Sequence, residues 1–204
     1  LVFPLTIHGN GATLIRDESA EPFRFFELMI NSALTMDNVT LQNGDVGEEG
    51  WGGAIFASNA SLHLTGVRFV NNRADNGGGI YFTFAALTIQ DCEFTGNHAY
   101  FRGGGIFFDS ARSSFNNTEF IGNTAGSQGA AISSESATIV IEESLFLKNV
   151  VNGTRGGALY LEHVNVAIAR SEFYQNQSGW VGGAIYINNP VTSGTSDDEG
   201  DPLD

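Results

Sequence analysis

One short motif returns through this chain at nearly constant spacing. Gly52-Gly53-Ala54-Ile55 recurs as Gly77-Gly78-Gly79-Ile80, Gly103-Gly104-Gly105-Ile106, Gly129-Ala130-Ala131-Ile132, Gly156-Gly157-Ala158-Leu159 and Gly182-Gly183-Ala184-Ile185, in steps of 25, 26, 26, 27 and 26 residues. A phenylalanine followed three residues later by asparagine keeps the same phase: Phe69/Asn72, Phe94/Asn97, Phe120/Asn123, Phe146/Asn149 and Phe173/Asn176. Two independent marks in one phase define a repeat. A unit this short cannot bury an apolar face alone, so the copies must stack on one another.

Alignment in that phase gives further columns. An apolar pair recurs at Leu62/Leu64, Leu87/Ile89, Ile139/Ile141 and Val166/Ile168, with Ser113/Phe115 departing in the third copy. A column of small residues follows: Val67, Cys92, Thr118, Ser144 and Ser171. Leu34, Met36, Val39 and Leu41 fit an earlier coil, and a fainter one ends at Leu14. Apolar residues alternate at period two, and no 3.6-residue period persists, so the repeats read as short strands. The expected fold is all-β, a parallel β-solenoid of about seven coils stacked at the ~4.8 Å strand spacing. Residues 1–194 form one domain, clearest over 34–187. The polar, acidic 195–204 is read as a tail or linker, because Thr192 and Gly194 occupy the two apolar positions where the repeat lapses.

Each column then acquires a role. The Phe column becomes an internal aromatic stack, each ring contributing ~1.5–3 kcal/mol by burial. The Asn column forms an amide ladder at a turn and tolerates left-handed backbone there. The first glycine of each motif, present in all six copies, suits positive φ or close coil contact. Cys92, the only cysteine, falls in an inward column and reads as a small buried hydrophobe.

Charge narrows the partners. Nine Lys and Arg stand against 23 Asp and Glu, a net charge of −14, and Lys148 is the only lysine. Nucleic acids and anionic membrane surfaces need a basic footprint that this chain lacks. No apolar run approaches the ~18 residues of a membrane helix. The start, Leu-Val-Phe-Pro, carries no charged n-region, so any export signal is expected to lie outside this segment.

The paired GGAI and FxxN motifs resemble the repeat of the polymorphic outer-membrane proteins of chlamydiae, and of related bacterial surface proteins with right-handed β-helix repeats. The resemblance covers about residues 34–187. It implies a right-handed parallel β-helix that is exported, displayed at the cell surface, outer membrane-associated and often adhesive, and that belongs to a larger polypeptide. Its expected partners are a host or cell-surface protein or a glycan. No catalytic residue, cofactor or metal comes with the motif.

Binding residues are sought on the outward columns. The residue after each motif Ile or Leu is Phe56, Tyr81, Phe107, Ser133, Tyr160 or Tyr186, an aromatic ladder able to stack on sugars if exposed. The connections from Asn to the next glycine pair vary in length and carry Trp51, Tyr100, Phe101 and Trp180. Variable connections on one edge of a solenoid commonly bind. The binding candidates are therefore Trp51, Tyr81, Tyr100, Phe101, Tyr160 and Trp180.

A carbohydrate-active enzyme on the same fold is the alternative. Asp91, Glu93, Glu119, Glu143 and Glu172 are expected on the strand leading to the Phe column, facing outward, with Glu93 and Glu119 in adjacent coils. A carboxylate pair at ~5 Å can perform retaining glycoside hydrolysis or bind Ca²⁺. Arg68 beside Glu93 and Arg170 beside Glu143 read as cross-coil ion pairs. The arginines otherwise look scattered, and the four histidines fall in different columns. Five Asn-x-Ser/Thr sequons begin at Asn38, Asn59, Asn116, Asn152 and Asn176; in a bacterial host they would be silent, and Asn176 belongs to the ladder.

Overall fold

The computed structural model describes residues 4–84 and 86–189. Its named elements are all strands, and each pairs in parallel with its counterpart in the next coil. One sheet has seven strands, running Phe26–Leu28, Ile55–Ser58, Ile80–Thr83, Ile106–Asp109, Ile132–Glu135, Leu159–Glu162 and Ile185–Asn188. A five-stranded sheet runs from Arg73–Asn76 to Gln177–Ser178, so the connections read as loops begin as strands. The remaining strands form a twelve-stranded sheet that the long strand Ala33–Gln42 divides into two faces, one continuing through Ser61–Thr65 and the other through Arg68–Val70. The chain therefore winds as a β-solenoid with about seven turns. The faint first coil is real. Leu5–Ile15 pairs with Ala33–Gln42, matching Leu14 to Leu41.

Register is fixed by what each column buries. Ile55, Ile80, Ile106, Ile132 and Leu159 are completely buried, as are Phe69, Phe94, Phe120 and Phe146. The Phe rings stack face to face, with centroids 4.5–5.0 Å apart along the column through Phe173. That spacing equals the strand repeat, so one ring per coil leaves no gap. Phe115 departs from the aliphatic column and tucks against Phe108 (6.0 Å) and Phe120 (6.1 Å).

The asparagines make the expected ladder. Asn123 Oδ1 accepts from the Asn97 backbone N–H and side-chain amide, both at 3.0 Å. Its own amide donates to the Phe94 carbonyl (2.8 Å) and to Asn149 Oδ1 (3.0 Å). The same pattern repeats at Asn72, Asn97 and Asn149. The left-handed residue is not the ladder Asn but the one before it: Asn71, Gly96, Gly122, Lys148 and Gln175, at φ from 53° to 64°. A Cβ at the ladder position is thus unstrained, while its neighbour makes the corner.

A second ladder lies in the small column. Thr118 N–H donates to Ser144 Oγ and Ser144 N–H to Ser171 Oγ, each at 3.2 Å. Val67 N–H reaches Cys92 Sγ at 3.4 Å. Each hydroxyl or thiol turns its hydrogen back to the carbonyl two residues earlier. Burial pushes the Cys92 thiol up to about 12, which keeps it protonated in this role.

The first motif glycines all take φ between 56° and 68°. The second faces the neighbouring coil, where a Cβ on Gly53, Gly78 or Gly104 would stand 2.3–2.4 Å from a backbone oxygen. The exception, Ala130, packs in a small cluster with Ala99, Ala125 and Val151.

Candidate binding edge

The residue before each glycine motif forms a continuous column, bridged in parallel from Trp51 through Asn76, Arg102, Gln128 and Arg155 to Val181. Beyond the glycines runs the column of Phe56, Tyr81, Phe107, Ser133, Tyr160 and Tyr186. The two columns and the connections between them make one edge of the solenoid.

This second column is not the open ladder that its outward direction suggested. Phe107 is 7% exposed and Tyr160 only 2%, so neither presents a free ring face. Phe56, Tyr81 and Phe107 stack at 5.4 and 5.1 Å, and Tyr160 stacks on Tyr186 at 5.4 Å. Tyr160 also donates its hydroxyl to Glu162 (2.8 Å); burial first, then this bond, pushes the phenol up to about 12. Trp51 covers the start of the column, parallel to Tyr81 at 4.9 Å, and remains 46% exposed. Tyr81 and Tyr160 therefore serve as packed supports.

Arginines fill the column's margins. The guanidinium of Arg24 lies over Phe56, that of Arg73 over Tyr100, that of Arg102 over Phe101 and Phe107, and that of Arg155 over Tyr186. Four of the eight arginines thus gather on one edge of an acidic chain, where the sequence had shown them scattered. Arg102 also pairs with Glu135, two residues beyond Ser133 on the strand Ile132–Glu135. Ser133, the single non-aromatic member of its column, is completely buried.

The exposed apolar side chains of the edge come from the connections. Tyr100 and Phe101 are opposite the single Asp75, a one-residue bulge between the Ala74–Ala99 and Asn76–Arg102 pairs. The bulge turns Phe101 outward, 42% exposed, while Tyr100 stays half-buried, edge-on to His98 at 5.0 Å. Trp180 is 81% exposed beside Val181 at 47%. Its backbone is held by Gly179 N–H to Gly153 O (3.0 Å) and Val181 N–H to Thr154 O (3.1 Å), so a fixed strand edge carries a free indole. Trp51, Phe101 and Trp180 are not brought into contact. Two and three coil steps separate them, spreading the three over ~24 Å.

The carboxylates take a different arrangement from the expected one. Glu93 and Glu119 are register partners, but Glu93 is tied to Arg68 (2.9 Å) and accepts from Thr95 (2.6 Å). Asp91 and Glu143 are not on a strand; they occupy left-handed corners, with Arg170 bridging Glu143 (3.0 Å) and Glu142 (3.5 Å).

No curated protein and no solved structure matches the chain. A family model described as the right-handed β-helix region matches residues 28–193. With the parallel coils and their columns, that match over most of the chain shows that it belongs to the right-handed β-helix family.

Proposed function

We propose that this β-helix is an exported, surface-displayed rod that attaches to a protein or glycan of a host or cell surface through the edge carrying Trp51, Phe101 and Trp180. It would do so as part of a larger polypeptide of the polymorphic outer-membrane type. The observation that carries the reading is the composition of this edge. Trp, Tyr and Arg are the residues that dominate binding energy at interfaces, and here they collect on one side of a chain otherwise rich in acid. The ring column holds Arg102 and Arg155 in place, and Phe101, 42% exposed in the middle of the rod, adds apolar area at the surface. The alternative, a carbohydrate-active enzyme, would rest on the open cleft lined by Arg68, Asp91, Glu93 and Glu119, where Glu93 is already held by Arg68 at 2.9 Å.

The test is binding of the purified chain to arrayed glycans and to intact cells, comparing the parent with Trp180→Ala, Phe101→Ala and Glu93→Gln. Loss of ~10-fold or more in the first two, with Glu93→Gln unchanged, is expected, since truncating a central aromatic anchor typically costs ≥ 2 kcal/mol. Release of reducing sugar that Glu93→Gln abolishes would replace display with hydrolysis.

A further inference from the structure

We infer that Asn38, Asn59 and Asn152 are acceptors for N-linked glycans when the protein passes through a compartment that holds an oligosaccharyl transferase. Five sequons are present, and the fold sorts them into two groups. Asn38 and Asn59 occupy exposed left-handed corners, at φ 49° and 53°. Asn152 is exposed in the longest of the connections between a ladder Asn and the next glycine pair, bonded through its backbone N–H to Ala125 O (3.0 Å). The side-chain amides of Asn38 and Asn59 reach only the neighbouring Asp37 and Ser58, at 3.2 and 3.3 Å on the surface. The hydroxyl-bearing partners Thr40, Ser61 and Thr154 are all partly exposed.

The other two sequons are used by the fold. Asn176 donates its amide to Phe146 O and accepts from Asn149, so a sugar on its nitrogen would cut the ladder. At the Asn116 sequon, Thr118 is completely buried and its hydroxyl donates to Asn116 O at 3.0 Å. The transfer forms a bond from the Asn Nδ2 to the sugar C1. It breaks the C1–O bond to a lipid-linked pyrophosphate, which leaves with the electron pair as the amide loses one proton. The only co-reactant is that oligosaccharyl-pyrophosphoryl lipid.

This inference shares with the proposed function only the step of export and departs from its bacterial setting, in which the sequons stay unmodified. The assay therefore supplies export itself. The chain is secreted behind a heterologous leader from a eukaryotic host, and glycopeptides are mapped by mass spectrometry before and after enzymatic removal of N-glycans. Sugar is expected on each of Asn38, Asn59 and Asn152 and on neither Asn116 nor Asn176 in folded, secreted protein. Thr154→Ala and Ser61→Ala should each erase one site without changing the circular dichroism spectrum. Secreted protein bare at any of the three positions, or carrying sugar on Asn116 or Asn176, overturns the assignment and leaves the Trp180 binding test untouched.

Discussion

Replacing Asn123 by alanine tests the ladder at its centre. The substitution removes an oxygen that accepts from the Asn97 backbone N–H and an amide that donates to Phe94 O. Asn97 keeps its own side-chain bond to Phe69 O, and Asn149 Oδ1 keeps the backbone N–H of residue 123. The Asn97 N–H is left with no acceptor in a fully buried position. An orphaned buried donor costs ~1–3 kcal/mol and the lost bond to Phe94 about 1 more, for a total of ~2–4 kcal/mol. At ~2–4 °C per kcal/mol for a chain of this size, the melting temperature should fall by ~4–16 °C. Asn176→Ala removes the same bonds from a half-buried coil where water can replace them, and should cost clearly less. Asn123→Asp sharpens the argument. One carboxylate oxygen would face the Phe94 carbonyl and Asn149 Oδ1, so ionisation is penalised in the fold and the folded pKa rises above the unfolded one. Relative to the parent, that variant should regain stability as pH falls through its raised pKa. Thermal and urea melts measure all three, and an Asn123→Ala transition within about 1 °C of the parent would refute the ladder as a source of stability.

Two further substitutions follow from the corners and the edge. Phe84 sits at φ 59° with its side chain 56% exposed, a conformation costing a non-glycine residue ~1–2 kcal/mol, so Phe84→Gly should raise the melting temperature by a few degrees despite the entropy of glycine in the unfolded chain; a lowered value would show that the ring packs usefully. Burial, aided by Arg73, holds the His98 imidazole below its ordinary value, and Nδ1 lies 2.8 Å from Thr124 Oγ1. The neutral form is favoured in the fold, so this contribution is complete above the unfolded imidazole pKa of about 6.5 and is lost as pH falls through the lower folded value. Urea midpoints of His98→Gln should decline less than those of the parent between about pH 7.5 and 5, and parallel declines would remove His98 from the account.

The inward half of this fold was legible because each position in a coil can hold only a narrow class of side chain. Phe and Asn recur because a stack with one ring or one amide per ~4.8 Å accepts few substitutes, and the Ile column exchanges only for other large apolar residues, Phe26 and Leu159. The corners escaped notice for the opposite reason. Asn71, Gly96, Gly122, Lys148 and Gln175 share a backbone conformation but no side-chain chemistry. Two folded coils over-determine each corner, so Lys148 or Gln175 can be held there at a cost of ~1–3 kcal/mol, and the column shows no pattern. The hydroxyl ladder was half visible: the small column was evident, but the hydrogen bonds that make Thr118, Ser144 and Ser171 more than small required the backbone N–H of the next coil to be placed. Arg102 was hidden because its role spans coils, from one connection to Phe107 and Glu135.

The spacing of the repeat also indicates where selection for packing relaxes. From the first motif glycine to the ladder asparagine the count is always 20 residues: Gly52 to Asn72, Gly77 to Asn97, Gly103 to Asn123, Gly129 to Asn149 and Gly156 to Asn176. From that asparagine to the next glycine it varies, being five residues to Gly77, six to Gly103, six to Gly129, seven to Gly156 and six to Gly182. Three faces of every coil are therefore locked in length, because one residue more would turn Phe and Asn out of their stacks. All variation is confined to the connection that carries Phe101, Asn152 and Trp180. Insertions are tolerated there because the backbone lies at the surface and its extra groups meet water. The proposed attachment therefore uses the one stretch whose length the repeat leaves free, with Phe101 42% exposed on it.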